Sequence, residues 1–217
     1  MHAHVIQVPG TGDSAAGRFL SGRHAVSIDM TGQNERRLVQ GVLVSLNGVI
    51  SEPGEWAGPY FGPGAAQRSL GTLRRSAAMV MGRGTYEMFS RQWPGTPGEY
   101  AGYLNTMPKY VYSSTLTDAE WTNTSVIRED AVAAVAALKQ TPGADLIMYG
   151  HGRLGHALCA AGLVDELHLS VLPVFVADGT PFFRPSDRPR AWQLTGASVD
   201  TELGVAELTY GPDPRRP

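Results

Sequence analysis

The sequence predicts an α/β sandwich with a mostly parallel central sheet and antiparallel strands at its C-terminal edge. Three observations carry this prediction. Short apolar runs alternate with helical patterns from about residue 37 onward, and two of those runs are followed directly by glycine turns that open helices. The last two runs alternate with period two around one glycine, the pattern of a hairpin rather than of a crossover.

Residues 1–36 mix Gly, Ser, Thr and charges around a short apolar patch at 25–28 and read as an N-terminal arm, so the compact domain is expected over 37–217. Leu38, Val39, Val42, Leu43 and Val44 form an apolar run that stops at Ser45-Leu46-Asn47-Gly48, an Asn-Gly turn signal after a buried strand. Residues 54–64 hold too many breakers for a regular element and too many apolar groups for a plain linker, which predicts a loop over a pocket. Leu70 and Leu73 with charges between them place a helix over 65–75, followed by a strand at 77–81 and the turn Gly82-Arg83-Gly84-Thr85 into the next helix. Tyr86 and Trp93 on that helix are expected in the core.

Short strands follow at 109–112, ending in Ser113-Ser114-Thr115, and at 124–127. Asp130 is placed to cap an alanine-rich helix over 131–139, which Pro142 and Gly143 stop. A buried strand at 145–149 leads through Gly150-His151-Gly152 to an amphipathic helix over 154–161, closed by Gly162. A long strand is predicted over 164–174, with Asp165 and Glu166 capping and solvating its start. The runs 191–199 and 205–210, joined through Gly204, make the hairpin.

Composition narrows the function. A chain of 217 residues, 42% hydrophobic and 18% charged, suits one globular domain. A net charge of −2 and a pI near 6.3 give no broad positive field for a nucleic acid, so any anion site must be local. Cys159 is the single cysteine, which excludes an internal disulfide and an all-cysteine metal site and suits the reducing cytoplasm. A basic start with an apolar h-region is missing, as is any run of about 18 apolar residues, so neither secretion nor a membrane span is expected. His2 and His4 sit on the arm and are assigned no metal.

The chemistry is expected at the two strand-glycine-helix junctions, Met81-Gly82-Arg83-Gly84-Thr85 and Tyr149-Gly150-His151-Gly152-Arg153-Leu154. A helix N-terminus offers unpaired N–H groups and partial positive charge, and glycine lets a pyrophosphate approach the backbone. Either junction alone is also what an ordinary turn looks like. Together with Ser113-Ser114 they converge outside the C-terminal ends of the strands, where open α/β sheets bind ligands. Arg83 and Arg153 add fixed charge, and an arginine fork suits a 2′-phosphate, so a dinucleotide bound here would be NADPH rather than NADH. Trp56, Tyr60 and Phe61 either line the substrate side of the pocket or pack the loop down.

These residues resemble the dihydrofolate-reductase-like superfamily, specifically the reductase domain of riboflavin biosynthesis (the RibD C-terminal domain) and its stand-alone relatives. The resemblance runs over roughly 40–185, through Ser45-Leu46-Asn47-Gly48-Val49-Ile50, Met81-Gly82-Arg83-Gly84-Thr85-Tyr86-Glu87, Ser113-Ser114, Gly150, Gly162-Leu163-Val164-Asp165-Glu166-Leu167, Pro173 and Gly179-Thr180-Pro181-Phe182-Phe183. It implies a three-layer sandwich around a sheet of about nine strands, a homodimer, and NADPH across the strand ends. By position, Gly82, Arg83 and Thr85 would meet phosphates, Ser113 and Ser114 the adenosine side, Gly150, Gly152, Arg153 and Leu154 the pyrophosphate, and Asn47 and Gly48 the nicotinamide.

Departures from the family pattern bear on the substrate. The strand-end Asp before glycine is Asn47 here, Arg75 is followed by Ser76-Ala77-Ala78, and Gln67 and Arg68 stand where an acidic residue would hold a pterin. Riboflavin and dihydrofolate chemistry are therefore not expected. The reading that follows is hydride transfer from NADPH to a C=N or C=O bond of a small substrate, a heterocycle among the options, with Glu52, Glu55, His151, Asp178 or solvent as the acid and no catalytic residue assigned. A non-catalytic nucleotide- or ligand-binding module on the same fold is the alternative.

Overall fold

Strand β1 (Leu38–Ser45) lies in the middle of the sheet, with β5 (Asp145–Tyr149) on one side and β6 (Glu166–Leu172) on the other, both parallel to it. The computed structural model describes residues 35–183 and 190–215. Beyond β5 lie β2 (Ser76–Gly82), β3 (Lys109–Tyr112) and β4 (Thr124–Ile127), all parallel; beyond β6 lie β8 (Val205–Pro212), antiparallel to β6, and β7 (Trp192–Asp200), antiparallel to β8. The order is β4-β3-β2-β5-β1-β6-β8-β7. The predicted architecture is thus present, with eight strands among the described residues instead of about nine.

Two helical layers cover the sheet. Helices α2 (Pro63–Arg75), α3 (Arg83–Gln92) and α4 (Glu99–Thr106) bury Leu73, Tyr86, Phe89 and Leu104 against Val39, Met79, Met81, Val111 and Ile147. On the opposite face, α5 (Ala131–Lys139) and α6 (Gly152–Ala160) bury Val135 and Leu158 against Leu38, Ala78, Val80, Leu146 and Met148. Alternation along each strand assigns neighbouring residues to opposite faces, as period-two geometry requires.

The helix start and stop signals act as their chemistry dictates. The Asp130 carboxylate accepts from the Ala133 N–H at 2.8 Å. Gly162, at φ +75°, lets the Leu163 N–H return to the Leu158 carbonyl at 2.9 Å and close α6. Asp165 does more than cap a strand: it accepts from the Leu38 N–H at 2.7 Å and from Lys139 Nζ at 2.5 Å, tying α5 to the starts of β1 and β6. Lys109, 1% exposed, donates to the carbonyls of Asn105, Met107 and Thr122 and lies 4.4 Å from the Trp121 ring centre.

Several expected boundaries differ. Residues 54–64 are not irregular: α1 (Pro53–Trp56) and a 3₁₀ turn (Gly58–Tyr60) form there, because prolines at the first helical positions supply the φ that short helices need. Helix α4 was not foreseen; it is eight residues long, and only Ala101 and Leu104 of it are buried, too little for a periodic signal. The long strand shortens to β6, and α6 starts two residues before the predicted position, at Gly152. Of the proposed arm, Glu35 and Arg36 pack onto the domain, where Arg36 donates to the Ala144 carbonyl at 2.8 Å; positions 1–34 lie outside the described residues. No described helix is long and apolar enough to cross a membrane.

Candidate functional site

Because β1 to β6 all run parallel, their C-terminal ends share one edge of the sheet, and this brings together the segments that follow β1, β2, β3 and β5. After β2, Gly82 is still extended at φ −85° and ψ 170°, and Arg83 already begins α3. The expected glycine turn is therefore absent: Gly82 ends the strand and Gly84 is helical. After β5 the turn is real, with Gly150 at φ +77° and Gly152 at φ +38°, a region that strains any side chain.

The two junctions touch. A Cβ on Gly82 would lie 3.7 Å from Leu154 Cβ, and one on Gly150 would lie 3.4 Å from Thr85 Oγ1. The Thr85 hydroxyl donates to the Tyr149 carbonyl at 3.3 Å, bridging α3 to the end of β5. Neither α3 nor α6 has a side-chain cap, unlike α5, so the first-turn N–H groups of both are left to other acceptors. A Cβ at Gly84 or Gly152 would meet nothing within 4 Å. Open backbone and uncapped donors are properties that a pyrophosphate seat requires.

Arg83 points away from that seat. Its Nε donates to Glu87 at 2.6 Å and its Nη1 to Thr115 Oγ1 at 2.8 Å. Ser113 Oγ accepts from the N–H groups of Thr115 and Leu116, so the turn after β3 is built around Ser113 and presented to Arg83. Ser114 lies in the same turn, and Arg153 sits exposed in the first turn of α6.

Asn47 ties down the segment after β6. Its Nδ2 donates to the Val176 carbonyl at 2.8 Å, while its Oδ1 accepts from the Val176 N–H at 3.1 Å and from Ser45 Oγ at 2.8 Å. An aspartate there has no N–H to give the Val176 carbonyl, which accounts for the amide. Gly48, at φ +84°, turns the chain and leaves open space at its Cα.

Of the three aromatics proposed for a substrate wall, Trp56 and Tyr60 pack against the cluster of Ala57, Leu172 and Val205, and Trp56 Nε1 donates to the Ser51 carbonyl at 2.9 Å. They hold the loop down. Phe61 is exposed. Glu52, Glu55 and Asp178 are exposed, while the His151 ring lies against Phe182, with 4.6 Å between ring centres, and Gln40 Nε2 lies 3.0 Å from its Nδ1. Gln40 belongs to the α5/α6 face.

The opposite face holds polar groups the sequence reading passed over. Gly41 and Leu43 are only half-buried although β1 is paired on both edges, so that face is open between α2 and the β1-β6-β8 strands. His168 and Ser170 project there from β6, and Glu207 from β8 beside Ser170. Glu207 accepts from Ser170 Oγ at 2.6 Å and pairs with Arg68 of α2 at 2.9 Å. Below them, Glu166 bonds His168 Nε2 at 2.5 Å and pairs with Arg37. The bond from His168 above all, aided by Arg37, holds the Glu166 carboxyl down at about 2 despite its burial. The signal was legible in Glu166-Leu-His-Leu-Ser, a strict polar/apolar alternation that marks one solvated face.

Comparison with known proteins agrees with the fold. A family model described as the RibD C-terminal domain matches residues 36–203. YyaP of Bacillus subtilis, an uncharacterized protein, is 27% identical over 184 residues, covering 81% of this chain and 95% of its own. Among solved structures, a pyrimidine reductase-like protein of Corynebacterium diphtheriae superposes with a TM-score of 0.60 at 16% identity, over 82% of this chain and 92% of that one. Dihydrofolate reductase from Enterococcus faecalis, solved with NADP(H), superposes with a TM-score of 0.56 at 18% identity, over 82% and 96%.

Proposed function

Since the chain belongs to the RibD C-terminal domain family, matched over residues 36–203, we propose that it is an NADPH-dependent reductase acting on a C=N or C=O bond of a small heterocyclic substrate. The observation that carries the reading is the contact of two uncapped helix N-termini, those of α3 and α6, at one edge of a parallel sheet. The pyrimidine reductase-like and dihydrofolate reductase relatives support it.

On this reading, Gly150, Gly152, Arg153, Leu154, Gly82 and Thr85 hold the pyrophosphate, and Arg83 with Ser113 and Ser114 takes the adenosine end, its guanidinium forked toward a 2′-phosphate. Asn47 and Gly48 border the nicotinamide, with Asn47 fixing the segment after β6 at Val176. The cofactor, when bound, supplies the hydride; the protein supplies position and a water-poor surface. The substrate lies on the open face floored by Gly41, Leu43, His168 and Ser170, where Glu207 and Glu166 disfavour an anion and favour N–H donors.

The protein also pairs with a second copy through its hairpin and works in the cytoplasm. A bulge between Leu194 and Gly196 brings Leu194 and Val199 to one face of β7, where both are exposed. Titration with NADPH and NADH, followed by nicotinamide fluorescence and thermal shift, tests the main reading. Tighter binding of NADPH at micromolar concentration is the expected result; no response to either would overturn it.

A further inference from the structure

Gln40 is fully buried in the middle of β1, yet all of its amide is engaged by α6 and the turn before it. Its Nε2 donates to the Gly150 carbonyl at 2.8 Å and lies 3.0 Å from His151 Nδ1, while its Oε1 accepts from Cys159 Sγ at 3.3 Å. The thiol and the carbonyl fix which end of the amide is nitrogen. An amide nitrogen cannot accept, so His151 Nδ1 is the acceptor and the ring proton sits on Nε2.

We infer that Gln40 is the positioning residue of the dinucleotide site. In a trans peptide the C=O and the following N–H point in opposite directions. With the Gly150 carbonyl drawn in toward Gln40, the N–H of His151 is turned outward, in line with the uncapped donors of α6. The turn holds Gly150 at a positive φ, and the approach of the amide needs the absence of a side chain at Gly155, where a Cβ would come within 2.5 Å of Gln40 Nε2. Two glycines and one buried amide therefore set a single peptide plane, and that plane faces the pyrophosphate.

The inference rests on the cofactor reading above, and the test separates the two. Calorimetric titration of wild type and Gln40→Leu uses NADP⁺ and adenosine 2′-monophosphate, which carries the adenosine and 2′-phosphate but lacks a pyrophosphate. Gln40→Leu should weaken NADP⁺ by about tenfold or more and leave adenosine 2′-monophosphate within about twofold, the size of one charge-assisted bond lost at one subsite. Where Gln40→Leu fails to fold, Gln40→Met carries the same comparison. Unchanged affinity for NADP⁺, or equal loss for both ligands, overturns the inference while leaving the cofactor reading in place. A wild type that binds neither ligand overturns both.

Discussion

Arg68 and Glu207 meet at 2.9 Å across the open face of the sheet, linking α2 to β8 where the helix no longer packs on the strands. The pair is half in water, since the Arg68 side chain is 42% exposed. Glu207→Gln should therefore cost only about 1 kcal/mol or less of folding stability by urea titration, and dinucleotide affinity should not change. A loss above roughly 3 kcal/mol would mean the pair is a buried structural one.

Arg83→Ala should weaken NADPH far more than NADH. The guanidinium is aimed at the Ser113–Thr115 turn, which on the proposed reading is the adenosine end and not the pyrophosphate. The expected loss is about tenfold or more for NADPH and within about twofold for NADH. Equal losses in parallel titrations would remove Arg83 from the 2′-phosphate.

Acid should destabilise the fold through Glu166. Its carboxyl titrates near 2 when folded and near 4.5 when free, so the unfolded chain binds the proton first as pH falls. The stabilisation is complete above about pH 4.5 and disappears as pH drops through about 2. Glu166→Gln should flatten the melting-temperature profile over that window; an unaltered slope would assign acid sensitivity elsewhere.

Lys109→Met should destabilise by about 2–4 kcal/mol, since it strips the donor from three carbonyls that converge in the interior. Chemical denaturation measures this directly. A neutral result would show that water replaces the ammonium.

Leu194→Glu with Val199→Glu should convert a dimer to a monomer in sedimentation at micromolar concentration, because both side chains share the exposed face of the hairpin. A wild type that already sediments as a monomer would refute this mode of pairing.

Much of the fold could be read in advance, because many of its strands are short apolar runs ended by Gly, Asn or Ser, and its helices carry local start and stop signals such as Asp130 and Gly162. The strand-end segments were legible for the same reason: parallel topology alone carries Gly82, Ser113 and Gly150 to one edge. What stayed hidden depends on partners far apart in the chain. Gln40 looks like a misplaced polar residue until Gly150 and Cys159 are folded against it, 110 and 119 positions away. Glu207 has no local pattern that announces Arg68. Gly82 has the sequence signature of a turn, because glycine after a strand usually is one, whereas its backbone is extended and simply ends β2.

The central place of β1 has a kinetic consequence. Both of its neighbours come from much later in the chain: the Leu38 N–H, for example, is satisfied by a carboxylate 127 residues downstream. On a ribosome β1 emerges with nothing to pair with, and its two edges stay open until β5 and β6 have been made. A fold of such high contact order should close late and slowly, with β1 as the keystone of the sheet and the strand most in need of protection beforehand.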